Sequence, residues 1–181
     1  MLHTINHVRK VFVGILPLVL LVPPSVVLSE TVEWDDLVRT NGLYYKKFAN
    51  VPFTGKVAAS RDQGKIERGK KVGQWIHYRS DGRVEKTQNY SAGDLAGPTI
   101  KYSYYSNGQL KSRGAVRNGK GEGEWVGYHD NGQLFFIGFL KNGKKEGHWN
   151  FYDKDGTENL VGHLWFHQGT GLYRDDGKVS D

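Results

Sequence analysis

The sequence predicts an all-β fold: an antiparallel meander of consecutive β-hairpin repeats forming one elongated, twisted sheet, preceded by an N-terminal signal helix. Three observations predict it. A Gly-x-Trp-x-x-Tyr pattern with Asn-Gly or Asp-Gly after it recurs along the chain. Glycine contributes 24 of 181 residues and aromatics 13%, a composition of packed strands and tight turns and not of a disordered chain. Turn dipeptides delimit segments of about 7–9 residues, which suit strands and are too short for independent helices.

The N-terminus reads as an address. Residues 1–10 end in Arg9 and Lys10, and Val11–Val22 is an apolar run interrupted only by Gly14 and Pro17. Pro23 and Pro24 break a helix, and Val27-Leu28-Ser29 places small or β-branched residues before Glu30. This is the order of a secretory signal, with the cut expected between Ser29 and Glu30. The alternative is an uncleaved membrane anchor, which needs roughly 20 apolar residues. Three prolines and a short apolar core favour cleavage. The expected location is therefore periplasm, cell surface or medium.

Residues 30–62 do not fit the repeat and are expected to form an N-terminal cap. Val32–Thr40 suits a short strand or helix. Asn41-Gly42-Leu43-Tyr44-Tyr45, followed by Val51–Val57, reads as an opening hairpin. Terminal units of repeat arrays are atypical because one side faces solvent.

Residues 63–181 form the array. Full copies stand at Gly73-Gln74-Trp75 with Tyr78, Gly123-Glu124-Trp125 with Tyr128, and Gly147-His148-Trp149 with Tyr152. A degenerate copy has Gly97, Tyr104 and Asn107-Gly108 but no tryptophan, and a truncated one ends with Gly171, Tyr173 and Asp176-Gly177. The tyrosines at 78, 104, 128, 152 and 173 advance in steps of 26, 24, 24 and 21. Each copy carries two turn signals. The first ends at Gly82, Gly108, Gly132 and Gly156; the second follows at Gly93, Asn118-Gly119, Asn142-Gly143 and, slightly late, Gly169. Asn-Gly and Asp-Gly occupy the positive-φ positions of type I′ turns, so both signals are expected to be hairpin turns of that type. Gly114, Gly138 and Gly162 recur inside the strand after the first turn. Interior strand glycines call for a close neighbour, and Trp125 and Trp149 are the expected lids over them.

The pattern Lys-x-Gly-x-Trp-x-x-Tyr-x-x-(Asn/Asp)-Gly-x-Leu, seen as Lys145-Glu146-Gly147-His148-Trp149 with Tyr152 and as Asn131-Gly132-Gln133-Leu134, resembles the variant MORN repeat of bacteria. The entry Gly42-Leu43-Tyr44-Tyr45 with Pro52–Val57 is similar to that family's opening. The resemblance covers roughly residues 40–177. Its members are commonly labelled YwqK-type antitoxins, and it implies a scaffold or a protein- or lipid-binding module. An antitoxin usually acts in the cytoplasm; the export-type N-terminus departs from that, and a periplasmic or surface immunity protein is the form that suits an exported chain.

Charge and cysteine usage narrow the function. The formal charge is +6, and removing the first 29 residues leaves 23 basic and 19 acidic side chains. That modest, dispersed excess lacks the basic block of a nucleic-acid binder. The absence of cysteine excludes disulfides, thiolate nucleophiles and Cys-ligated zinc. Asp81, Asp130, Asp155, Glu122 and Glu146 fall at turns or links, and Asp35-Asp36 would point to opposite strand faces. His163 and His167 would share a strand face about 13 Å apart, too far for one metal. His77, His129 and His148 stand at different repeat positions. No catalytic residue, cofactor or metal is expected.

The expected function is therefore binding. Trp75, Tyr78, Tyr104, Trp125, Tyr128, Trp149, Tyr152 and Trp165 are the candidate contacts for a protein partner of unknown identity, a toxin among the possibilities. The alternative is an envelope glycan or anionic lipid headgroup, met by aromatic rows with Lys101, Lys111, Arg113 and Lys141.

Overall fold

The computed structural model describes residues 29–59, 61–159, 164–175 and 178–179. The signal segment up to residue 28 lies outside these, as do Gly162, His163 and Gly177. Ser29 and Glu30, the expected cleavage point, begin the described part as exposed chain without regular structure.

The elements run β1 (Thr31–Val32), a 3-10 turn (Trp34–Asp36), β2 (Leu37–Thr40), β3 (Leu43–Lys46), β4 (Gly55–Ala58), β5 (Asp62–Glu67), β6 (Lys70–Tyr78) and β7 (Val84–Ser91). They continue with β8 (Asp94–Leu95), β9 (Thr99–Tyr104), β10 (Leu110–Arg117), β11 (Lys120–Tyr128), β12 (Leu134–Lys141), β13 (Lys144–Phe151), β14 (Leu164–His167), β15 (Thr170–Asp175) and β16 (Lys178–Val179). One 14-stranded sheet contains all but β2 and β3; from β4 onward it follows chain order, with β8 attached to the side of β7. The expected meander of hairpins is what forms, with two departures. β1 joins the edge parallel to β4, and β2 and β3 pair with each other off the main sheet. The opening hairpin is thus Leu37–Lys46 closed at Asn41-Gly42, with only an isolated bridge, Tyr45 to Pro52, toward the expected second arm.

A single sheet has two faces to cover, and the cap covers one of them at the N-terminal end. Val32, Leu37, Phe53, Val57, Ala59, Ile66 and Trp75 form one buried cluster, with Trp34, Tyr44 and Tyr90 packed on it. The 3-10 turn and the β2–β3 pair supply Trp34, Leu37 and Tyr44, so the strands that fail to join the sheet act as its lid.

Two turn types alternate along the two edges, which corrects the expectation of type I′ throughout. At Gly82, Gly108, Gly132 and Gly156 only the glycine has positive φ (79°, 90°, 87° and 86°). Each turn closes with two backbone bonds, as in His129 N to Gln133 O at 2.8 Å and Gly132 N to His129 O at 3.0 Å. This is the three-residue loop, a type I turn followed by a left-handed glycine bulge. On the other edge both turn residues have positive φ, as in Asn118-Gly119 (50° and 78°) and Asn142-Gly143 (51° and 81°). Those are the type I′ turns. Arg68-Gly69, Ala92-Gly93 and Gln168-Gly169 adopt the same geometry without an asparagine.

The long step of 26 between Tyr78 and Tyr104 also has a location. After Gly93 the chain makes the short β8, Ala96 N donates back to Asn89 O at 2.7 Å, and Gly97 (φ 94°) with Pro98 leads into β9. The extra residues sit in this Asp94–Pro98 excursion.

Candidate functional site

Each position of the recurring motif has its own task. In Gly73-x-Trp75, Gly123-x-Trp125 and Gly147-x-Trp149 the glycine has positive φ, at 63°, 114° and 68°. The strand pairing slips at each, so that β6, β11 and β13 carry extra residues against β5, β10 and β12. These are β-bulges, and a bulge re-aims the side chain that follows it. Here it lays the indole flat on a glycine of the preceding strand. A Cβ on Gly64, Gly114 or Gly138 would clash with the ring of Trp75, Trp125 or Trp149, with the indole Cδ2 at 2.3, 2.2 and 2.1 Å. The indole N–H then donates to the carbonyl one residue further, Lys65 at 3.2 Å, Ala115 at 3.0 Å and Phe139 at 3.2 Å. The expected lids Trp125 and Trp149 thus cover Gly114 and Gly138, and Trp75 over Gly64 is a third, which the sequence reading missed.

Four residues before Trp75 and Trp149 stand Lys71 and Lys145. The Lys71 ammonium lies over the rings of Trp75, Trp34 and Tyr90 at 4.0, 5.1 and 5.3 Å. Lys145 repeats this over Trp149, Phe166 and Phe151 at 4.5, 4.6 and 5.2 Å. Burial pushes both amines below the ordinary lysine range, and for Lys71 the nearby Lys86 and Arg39 charges add to the effect that Asp62 opposes. Each aromatic cluster is therefore already occupied by a cation of its own chain. In the copy at Trp125 the same position is Gly121, and Leu140 fills the space.

The edges are stitched as well. Gly93, Gly143 and Gly169 donate their N–H groups to the carbonyls of Lys71, Gly121 and Lys145 at 2.9, 2.8 and 2.9 Å. Glu122 and Glu146 accept from Asn142 N and Gln168 N at 2.9 Å each. On the opposite edge Asn107 and Asn131 reach the carbonyls of Asp130 and Lys154 in the next turn, at 2.9 and 2.8 Å.

This geometry redistributes the candidate contacts. Trp75 and Trp149 are 0% and 4% exposed, which corrects their reading as partner anchors: the bulge has turned them into packing. Trp125 is half-buried in the same role. Tyr78, Tyr104 and Tyr128 end their strands beside the bulged turns and Tyr152 follows directly on β13, all four half-buried. Tyr78 donates to Gln63 at 3.3 Å and Tyr104 to Val84 O at 3.0 Å, with the Arg83 guanidinium 4.9 Å over the Tyr104 ring. Gly82, Gly108, Gly132 and Gly156 serve the turns.

The other sheet face mixes buried and exposed side chains. Pairing places Tyr102, Arg113, Val126, Ile137 and Asn150 in one row across five strands, with Arg113 exposed, Val126 buried and the other three half-buried. Phe139, two residues from Ile137 and flanked across the strands by Glu124 and Glu146, is 51% exposed. Trp165 and His148 meet on this face with rings 4.5 Å apart, and Arg113 lies 3.5 Å from Glu124. Near the bulged-turn edge a hollow of about 460 Å³ is lined by His129, Phe135, Phe151, Tyr152, Asp153 and Leu164.

Among the described residues no helix is long and apolar enough to cross a membrane, and no three His, Asp or Glu gather as a metal site. Compared with protein-family models, curated proteins and solved structures, the chain matches none.

Proposed function

We propose that the chain is an exported, non-catalytic repeat protein of the MORN-like kind that binds a protein partner on the sheet face opposite the tryptophan lids, in the manner of an immunity or antitoxin-like module. The carrying observation is Phe139, a large apolar side chain 51% exposed on the face that also carries Ile137 two residues away and, on other strands, Tyr102 and Trp165. Exposed apolar area of this kind costs solubility and is characteristic of contact surfaces. Binding on that face needs no movement of the lids.

The test is cross-linking and affinity capture from the exported fraction with the wild type and with Phe139→Asp. A partner held by the wild type and released by the variant supports the reading. A partner held equally by both, or none recovered, removes it.

A second reading is favoured by a different observation. The hollow at Phe135, Phe151 and His129 has aromatic walls and a polar rim of Tyr152 and Asp153, the layout that stacks on a sugar ring. Co-sedimentation with cell-wall glycan, lost in Phe135→Ala, distinguishes it from the protein-binding reading.

A further inference from the structure

The copy that lacks a tryptophan carries a different feature. Pairing sets Asp62, His77, Lys86, Lys101 and Gly114 in one row across β5, β6, β7, β9 and β10. Lys101 holds the place that Trp75, Trp125 and Trp149 hold in the other copies, three residues before the marker tyrosine. Lys86 and Lys101 face each other directly. Like charges so placed repel, and natural sheets usually avoid them. The carboxylate on that row, Asp62, is taken by His77 Nδ1. Among the described residues no carboxylate lies within ion-pair distance of Lys86 or Lys101.

Around this pair the fold builds a groove of about 360 Å³, lined by Lys86, Gln88, Thr99, Lys101, Arg117 and Asn118 and walled by Leu95 and Gly97 of the inserted excursion. Its lining has three cations and no acid. Gln88 Nε2 donates to Thr99 Oγ1 at 3.1 Å, which holds the amide and the nearly buried hydroxyl in place at the floor. Lost lid, added residues and converging cations thus coincide in one copy.

We propose that this groove is an anion site that takes a phosphate group, with the Lys86 and Lys101 ammonium groups as its principal charges, Arg117 at its mouth, and the Thr99 hydroxyl as a hydrogen-bond partner. Lysine ammonium groups bind phosphate as point charges, and a bound dianion turns the repulsion between them into attraction to a shared partner. This inference is independent of the protein-binding reading, which concerns the other face.

The experiment is thermal unfolding and two-dimensional NMR titration of the full chain with inorganic phosphate, against chloride at equal ionic strength. The wild type and the exposed control Lys47→Gln should gain thermal stability with phosphate and shift the amide signals of residues 86–101. The double variant Lys86→Gln/Lys101→Gln should fold, gain nothing from phosphate and lose at least tenfold in affinity. Sedimentation with phosphatidylglycerol vesicles, wild type against double variant, separates a lipid headgroup from free phosphate as the source. An equal phosphate response in the double variant overturns the proposal, as does a wild type indifferent to both phosphate and vesicles.

Discussion

Trp149 lies flat on Gly138 of the neighbouring strand and donates its indole N–H to the carbonyl of Phe139 at 3.2 Å. The ring closes the backbone of β12 against water and satisfies its own polar atom in the same contact. The glycine and the tryptophan are therefore one unit, and neither is replaceable alone.

Gly138→Ala is the direct test of that unit. The new Cβ would lie 2.6 Å from Trp149 Cγ, so the ring must lift. The expected cost is about 2–3 kcal/mol, the range of overpacked cores. Trp149→Ala should cost about 3–5 kcal/mol through the cavity it leaves. The double variant should cost well below the sum, because the alanine no longer meets a ring. Urea unfolding of the four proteins gives the coupling; additive costs would show that the two residues act separately.

The turn edges predict a stabilising change. Ala92 precedes Gly93 in a type I′ turn at φ 51°, a region that asparagine tolerates better than alanine. Ala92→Asn should raise stability by about 0.5–1 kcal/mol, and Asn118→Ala should lower it by a similar amount. Gly82 belongs to the other turn type, where Asp81 has an ordinary φ, so Asp81→Asn should leave the turn geometry as it is. Denaturation midpoints of the three variants check this.

Much of the fold was legible because its signals are local and periodic. Turn dipeptides, strand lengths and the glycine beneath Trp125 or Trp149 all recur at fixed offsets. What escaped was set by strand pairing. The same Asn-Gly pair makes a type I′ turn at Asn142-Gly143 and a bulged type I turn at Asn131-Gly132, because the closing bonds differ and the dipeptide does not. Gly64 was missed because no turn dipeptide marks its strand. The sequence marks Trp149 both as a lid and as a contact, and Trp75 as a contact alone, because without the bulge nothing in a strand says how completely an indole folds back onto its neighbour. Gly73 and Gly147 were the available signal, had their glycines been read as bulges.

The buried lysines predict that charge is dispensable and bulk is not. Lys145→Met keeps a straight chain over Trp149, Phe151 and Phe166 and should hold stability within about 1 kcal/mol at neutral pH, since lost cation–π attraction offsets relieved desolvation. Lys145→Ala removes the chain itself and should cost about 1–2 kcal/mol. Burial lowers the Lys145 pKa in the folded state, so its desolvation penalty is complete at neutral pH and lifts as pH rises through the folded value. Wild type should accordingly gain on Lys145→Met as pH rises from neutral toward the ordinary lysine value of about 10.5. Stability curves that stay parallel over that window would place the amine in water.

Glu146 carries the opposite sign. The backbone N–H of Gln168 and, behind it, His167 hold its carboxyl below the ordinary carboxylate range, with Gln168 N at 2.9 Å. A depressed carboxylate contributes stability that is complete above its unfolded pKa and is lost as pH falls through the folded value. Glu146→Gln should therefore be less stable than wild type at neutral pH, and the gap should close as pH falls below the ordinary carboxylate value of 4.5. Because Glu146 ties the Gln168-Gly169 turn to the strand of the preceding copy, the loss at low pH should begin at that turn. Amide exchange at Gln168 and Gly169 should then rise before the array as a whole unfolds. Loss of protection at this turn only together with the rest of the array would mean that Glu146 does not hold the turn by itself.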